Sequence, residues 1–255
     1  YLEVLEGRKF KTADFFPVVC PDHEDPSTTY SVRINGSMPT EYGKRTAWSS
    51  TPARRPTGYY LAPGSIGTIK VPAAMVNKDF KILVGAHTFQ RTGNNPVRRF
   101  FRVTNTFSIT DTITQVANPF GGGIYIITPY EADLGIMEVQ LTNVVPAPFF
   151  SAKTFSQTTL EEWQDVQRHH PAPWADFESD KYMMQVPTSW IYNYADPVTL
   201  MQDWDNRMDV VSTLLGYPVM RNHAILYLQV DTDIMYPFYG IGNPQINNTY
   251  NPLAV

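Results

Sequence analysis

Between residues 45 and 150 the chain sets apolar against polar residues in short alternating runs. Ile69 and Val71 share one face while Thr68 and Lys70 share the other; Phe80, Ile82 and Val84 repeat the pattern. Met137, Val139 and Leu141 stand against Glu138, Gln140 and Thr142. Alternation with a period of two predicts half-buried antiparallel strands. Turn chemistry separates the runs: Ala62-Pro63-Gly64, Gly93-Asn94-Asn95-Pro96 and Asn118-Pro119-Phe120-Gly121-Gly122-Gly123. Several such strands in one stretch predict a β-sandwich over 45–150. Residues 1–44 show no comparable alternation and read as a loop-rich segment, with the polar run Cys20–Pro26 a surface loop.

After residue 150 the period lengthens. Thr158 with Glu161, or Thr159 with Glu162, offers a capping box, followed at helical spacing by Leu160, Trp163 and Val166 or Gln167, and Pro171 ends the run. A second helix is better specified. Asp196 caps it, Pro197 opens its first turn and Gly216 ends it. Met201, Trp204, Met208, Val211 and Leu215 form its expected apolar stripe. The near-continuous apolar run Ala224–Val230 fits a buried strand, and the Asn-, Pro- and Tyr-rich tail 231–255 reads as loop.

The predicted fold is therefore mostly β: an antiparallel β-sandwich, then over 151–255 the helices and strand that open an α/β or α+β domain. A long amphipathic helix and one buried strand need partners. The expectation is that the polypeptide continues past Val255, or that a neighbouring subunit covers 151–255. The start at Tyr1 rather than Met points the same way, to a processed or excised piece.

Composition narrows the function classes. Of the 255 residues 43% are apolar and 17% charged, which excludes a disordered chain. A net charge of −4 gives no general attraction to phosphate backbones, so nucleic-acid binding is set aside. No apolar run is long enough to span a membrane. The single Cys20 excludes an internal disulfide framework and a cysteine-based metal cluster. Asn35-Gly36-Ser37 and Asn247-Asn248-Thr249 are N-glycosylation sequons, making Asn35 and Asn247 candidate acceptors in an extracellular or cell-surface setting.

Reactive chemistry is sparse. A metallopeptidase helix carries two His four residues apart with a Glu between, and that motif is absent. His23-Glu24 begins like it, but Ser27 stands where the second His belongs. No catalytic residue and no metal ligand is assigned. Cys20 reads as a structural thiol, its pKa raised by the acidic loop around it. Gly121-Gly122-Gly123 lacks the Lys-Ser/Thr of a phosphate loop and precedes a strand, so it reads as a tight turn. Asp231 and Asp233 follow the buried strand, where site residues often sit. Arg98, Arg99 and Arg102 flank Phe100 and Phe101. They read either as forked donors to a sugar or carboxylate or as water-facing residues of an edge strand, the latter favoured. Trp48, Tyr59 and Tyr60 read as exposed loop aromatics, able to stack on sugar rings or to cover the sandwich end. Trp48, Tyr59 and Arg99 are the candidate glycan-binding residues.

Four segments carry a resemblance: Thr57–Gly64, Val84–Thr88, Asn118–Ile126 and Ala172–Phe177. In order and spacing the chain resembles the enhancin-like, mucin-degrading zinc metallopeptidases and their non-catalytic relatives, the TRP-channel-associated factors, over roughly residues 45–240. Asp176 stands where that family usually has Glu. The resemblance implies a sandwich ahead of a zinc-dependent domain whose His and Glu motif lies downstream of Val255. No catalytic residue carries over, so this chain alone is not expected to be an enzyme and holds no cofactor; zinc belongs to the full-length protein. The implied partner is a glycoprotein or glycan. A structural or adhesive scaffold that keeps the fold, and a carbohydrate-binding module, are the alternatives.

Overall fold

The computed structural model describes residues 3–38, 52–88, 99–216, 226–231, 238–240 and 243–247. Its first strands are β1 (Thr29–Ser37), β2 (Ala53–Leu61), β3 (Ile66–Lys70), β4 (Lys81–Val84) and β5 (Asn105–Ser108). There follow β6 (Ile113–Ala117), β7 (Gly122–Thr128), β8 (Asp133–Thr142), β9 (Val145–Pro146) and β10 (Phe149–Ser151). Helix α1 (Leu160–Asp165), strands β11 (Trp174–Glu178) and β12 (Tyr182–Pro187) and helix α2 (Pro197–Leu214) come next. Strands β13 (Leu226–Asp231), β14 (Phe238–Gly240) and β15 (Asn243–Asn247) complete the order.

Two antiparallel sheets form the sandwich, one of four strands ordered β1-β8-β3-β6 and one of five ordered β5-β4-β7-β2-β9. Their facing side chains are those that the alternation selects: Ile34, Ile69, Val116, Val139 and Leu141 from the first sheet meet Leu61, Ile82, Val84, Ile124 and Ile126 from the second. A third, mixed sheet runs β10-β11-β12-β13-β15-β14, with β12, β13 and β15 parallel. It packs on the other side of the five-stranded sheet, where Leu83, Tyr125 and Ile127 meet Met183. The five-stranded sheet is thus a shared wall with both faces covered. That explains why Gly122–Ile126 is buried at every position, whereas β8 alternates.

Three sequence readings are corrected. Residues 1–44 are not all loop: β1 pairs along its length with β8, presenting Tyr30, Val32 and Ile34 in a period-two pattern interrupted by a bulge between Asn35 and Ser37. The tail is not all loop: β14 and β15 pair antiparallel, and β15 lies parallel to β13. The α2 stripe is rotated by about one position. Leu200, Met201 and Ser212 are buried and Trp204 and Met208 half-buried, while Val211 and Leu215 are exposed. The cause is polar: Asp205 accepts from the Ser179 hydroxyl (2.5 Å) and the Lys181 amide (3.1 Å), and Asp209 pairs with Lys181, drawing that side of the helix to the sheet.

The caps hold as read. Thr159 accepts from the Glu162 amide at 3.0 Å, and Asp196 accepts from the Thr199 amide at 3.0 Å. On α1 only Trp163 is buried; Leu160 at its start and Val166 just past its end face water. On α2 the Trp204 ring stacks on Tyr182 with centroids 4.2 Å apart, fixing the helix on the mixed sheet.

The Asn118–Gly123 turn fastens the layers. Asn118 donates from Nδ2 to the carbonyls of Val103 (3.0 Å) and Gly121 (2.8 Å), and Oδ1 accepts from the Phe120 amide (3.1 Å). Gly122 has φ +147°, and a Cβ there would lie 2.4 Å from the Gly85 amide nitrogen. Gly122→Ala is expected to cost about 2–5 kcal/mol of stability from overpacking and backbone strain. Gly135→Ala, at φ +66° in open space, is the control for backbone conformation alone and should cost about 1 kcal/mol. Urea denaturation of both variants reads the difference; equal losses would show that the close approach contributes nothing.

Candidate functional site

The seam between the shared wall and the mixed sheet gathers the buried polar groups. Tyr125 on β7 donates its hydroxyl to Asp176 Oδ2 on β11 at 2.8 Å, and Gln185 on β12 donates to the same hydroxyl oxygen at 2.7 Å. Arg54 on β2 lies over the Tyr125 ring at 5.6 Å and donates to the Ala86 carbonyl at 2.8 Å. Register explains the grouping: Asp176 and Gln185 are cross-strand partners, so their side chains leave the mixed sheet on the same face.

At one end of the seam Arg99 grips Asp231 with two bonds of 2.7 Å, Nε to Oδ1 and an Nη to Oδ2, both side chains fully buried. The reading of Arg99 as a water-facing edge residue is therefore corrected. The forked donor has found its carboxylate inside the chain, at the end of β13. Arg102 stays exposed. His87, beyond β4, meets the Val230 carbonyl through Nε2 at 2.8 Å. Burial, first of all, lowers its pKa to about 4; Arg99 and Arg54 push the same way, against Asp231 and the Val230 carbonyl.

The amino-terminal segment straps this end shut. Phe16 packs on His87 (4.7 Å between centroids) and Trp174 (5.8 Å), and Trp174 Nε1 donates to the Pro17 carbonyl at 2.5 Å. Cys20 is buried here and its thiol pKa is raised to about 12, by burial first and then by Asp22. A cavity of about 360 Å³ opens beside the strap, between Phe15, Val19, Trp174, Tyr192 and Asp231.

A second concavity, of about 290 Å³, lies where the sandwich meets α1. Tyr59 lines it. It is no loop residue but part of β2, half-buried, its ring 4.6 Å from that of Tyr30. Burial and the Tyr30 hydroxyl push the Tyr59 pKa up to about 12. Tyr60, next along the same strand, is fully buried on the opposite face. His170, facing the same concavity, has its pKa lowered by burial above all. Trp48 lies outside the described residues. Asn35 sits half-buried in β1, its Oδ1 accepting from the Ser37 amide at 2.9 Å; Asn247 is the last residue of β15. Of the seam residues, Tyr125 and Gln185 were assigned nothing from the sequence, and Asp176 entered only as a departure from the family's usual Glu. No local pattern signals them: β11 and β12 are short, buried on both faces and flanked by helices, and β7 is buried at every position from Gly122 to Ile126.

Family comparison places this architecture. Residues 24–142 match the N-terminal domain of M60-like peptidases, and residues 143–251 match peptidase M60, enhancin and enhancin-like. The chain belongs to the M60-like family. TRPM8 channel-associated factor 2 of Mus musculus is 32% identical over 188 residues, covering 74% of this chain and 19% of that protein. The chain thus spans about a fifth of that relative's length, 19%. The M60 catalytic domain of Clostridium perfringens ZmpC, solved in complex with the sialyl T antigen, superposes with a TM-score of 0.60 at 14% identity, over 87% of this chain and 48% of that one. IMPa from Pseudomonas aeruginosa, in complex with an O-glycopeptide, gives 0.62 at 12%, over 97% of this chain and 30% of that one.

The family implies a metal, and the described residues of this M60-like chain do not fit one. Among them no three His, Cys, Asp or Glu side chains converge. His87 is bound to a backbone carbonyl, His23 to the Tyr30 hydroxyl, and His169 to the Gln164 carbonyl. No helix among the described residues is long and apolar enough to cross a membrane.

Two predictions follow from the seam of this M60-like frame. Arg99→Met takes both guanidinium bonds from the buried Asp231 carboxylate, and should cost about 3–5 kcal/mol; adding Asp231→Leu should restore much of it. Denaturant melts of the single and double variants measure this, and a double variant as unstable as the single would refute the pairing account. His87 takes up its proton near pH 6.5 when unfolded but only near 4 when folded. Its contribution is complete above pH 6.5 and is lost as pH falls towards 4, by about 3 kcal/mol in the limit. Stability of the wild type should therefore drop more steeply than that of His87→Gln between pH 7 and 4.5; parallel curves would sink this.

Proposed function

We propose that this chain is the amino-terminal frame of an M60-like protein that acts on mucin-type glycoproteins at the cell surface or outside the cell. The sandwich and the mixed sheet hold a substrate-facing cleft, and the metal-holding residues come from the rest of the polypeptide, where zinc would supply the hydrolytic chemistry. The observation that carries the reading is the mixed sheet docked on the sandwich wall, an arrangement shared with the ZmpC catalytic domain that was solved with the sialyl T antigen. Val198, Val210, Val211 and Leu214 on α2 and Leu215 just past it are all exposed, which supports a cover from the same polypeptide or a neighbouring subunit.

A second reading is favoured by a different observation. The relatives near 30% identity are TRPM8 channel-associated factors, whereas the solved metallopeptidases stand at 12–15%. On this reading the fold is a scaffold that binds glycoproteins without cleaving them. One experiment separates the two. The full-length protein, supplied with zinc, is incubated with a mucin-domain glycoprotein before and after enzymatic removal of its O-glycans. Cleavage that needs both the glycans and the metal is the expected result. Glycan-dependent capture without cleavage would establish the scaffold, and neither cleavage nor capture would overturn both readings.

A further inference from the structure

The concavity between the sandwich and α1 has a lining of two kinds. Its apolar part comes from the Tyr59 ring with Phe149, Phe155, Pro56 and Pro146. Its polar part comes from Arg33 on β1, Gln157 ahead of α1, Glu162 on α1, and Gln167 and His170 just beyond. The parts are held before any ligand arrives. The His23 ring is hydrogen-bonded to the Tyr30 hydroxyl at 2.8 Å, and Tyr30 packs on Tyr59. Gln167 Nε2 donates to Glu162 Oε1 at 2.9 Å, which orients both side chains. Gly58 lets the backbone close on Phe149: a Cβ there would stand 2.9 Å from Phe149 Cδ1.

The chemistry of the lining selects a ligand class. One guanidinium and one carboxylate leave no net charge for an ion to seek. Amide, carboxylate, imidazole and guanidinium together offer many donors and acceptors in a small space. Beside them lie a ring face and proline edges. A neutral molecule dense in hydroxyls, with one apolar C–H face, satisfies all of these at once, and a pyranose is such a molecule. The volume, about 290 Å³, sits at the lower end of ligand pockets, about 300–1,000 Å³, and suits a mono- or disaccharide.

We propose that this concavity is a saccharide subsite, in which Tyr59 stacks on a sugar ring while Arg33, Gln157 and Glu162 bond its hydroxyls. The assignment deepens the proposed glycoprotein function and rests on it. Because Arg33 and Tyr59 belong to the sandwich while Gln157 and Glu162 belong to the adjoining unit, a bound sugar would bridge the two.

The test is a titration of the chain with the neutral disaccharide galactosyl-N-acetylgalactosamine, read by saturation-transfer NMR and calorimetry. A proline-rich peptide without sugar serves as the competing probe. Gln157→Ala removes an exposed side chain and leaves the fold intact, and should weaken binding about tenfold, equivalent to about 1.4 kcal/mol. Arg33→Ala, also at an exposed position, should do likewise, and Tyr59→Leu should abolish binding. Disaccharide binding unchanged in Gln157→Ala and Arg33→Ala, no disaccharide binding at all, or binding of the peptide alone would each overturn the subsite. Glycan-dependent cleavage or capture by the full-length protein that survives all three substitutions would sink the subsite and leave the proposed function standing; loss of that activity in the unmodified protein would sink the function.

Discussion

Everything in this molecule hangs on one sheet with two buried faces. The five-stranded wall packs Ile82, Val84, Ile124 and Ile126 into the sandwich, and Leu83, Tyr125 and Ile127 onto the mixed sheet. Adjacent residues on β4 and β7 therefore serve different cores. A strand in that position cannot slip by one residue without exchanging its two sets of side chains. The Asn118–Gly123 turn fixes the register at the wall's end, where Gly122 allows backbone to touch backbone. The Asn118–Ile126 segment, one of the four that carry the family resemblance, thus opens with a mechanical joint rather than a chemical one.

The second core face is not purely apolar, and this sets the orientation of the mixed sheet. An apolar contact tolerates sliding; a hydrogen bond from Tyr125 to Asp176, shared with Gln185, does not. Arg99 and Asp231 add a directional clamp at the end of β13, where two parallel bonds specify both angle and distance. A buried pair of this kind contributes little net stability against apolar substitutes, but a misplaced partner is costly. Its effect is to define where β13 ends.

How far the sequence betrays this depends on how many faces of each element are covered. The strands β3 and β8, covered on one side, show clean alternation and are legible from Ile69 or Val139 alone. Strand β1 carries the same signal in Tyr30, Val32 and Ile34, but the segment before it is irregular and its bulge breaks the period. Strands β11 and β12 are covered on both sides, so Trp174–Glu178 shows no alternation in burial at all. Helix caps at Thr159 and Asp196 are local and were legible; the rotation of α2 was not, because Asp205 and Asp209 face inward to satisfy groups that are remote in sequence. The candidate site follows the same rule. Tyr59 was visible as an aromatic, but its partners Gln157 and Glu162 lie about a hundred residues away and nothing local links them. Arg99 reads as surface because its carboxylate is likewise distant.

The polar groups of the seam bear on function through what they are already doing. Arg54 is bound to the Ala86 carbonyl, Arg99 to Asp231, His87 to the Val230 carbonyl and Tyr125 to Asp176. Each would have to give up a partner in the interior before it handled a substrate, and an orphaned buried group costs about 1–3 kcal/mol, more when charged. The fold also keeps His87 neutral throughout the physiological range, so it offers no proton there. Chemistry with an outside ligand is consequently displaced to the rims. There Gln157 and Arg33 remain exposed and Glu162 keeps an edge to solvent. On the proposed function, a frame whose interior is committed to holding two units together, and whose exposed polar groups stand at the junction between them, would present a bulky, hydrated substrate to a reaction centre supplied by other residues. On the scaffold reading the same frame would hold a glycoprotein without any reaction centre, because none of the interior pairs depends on one.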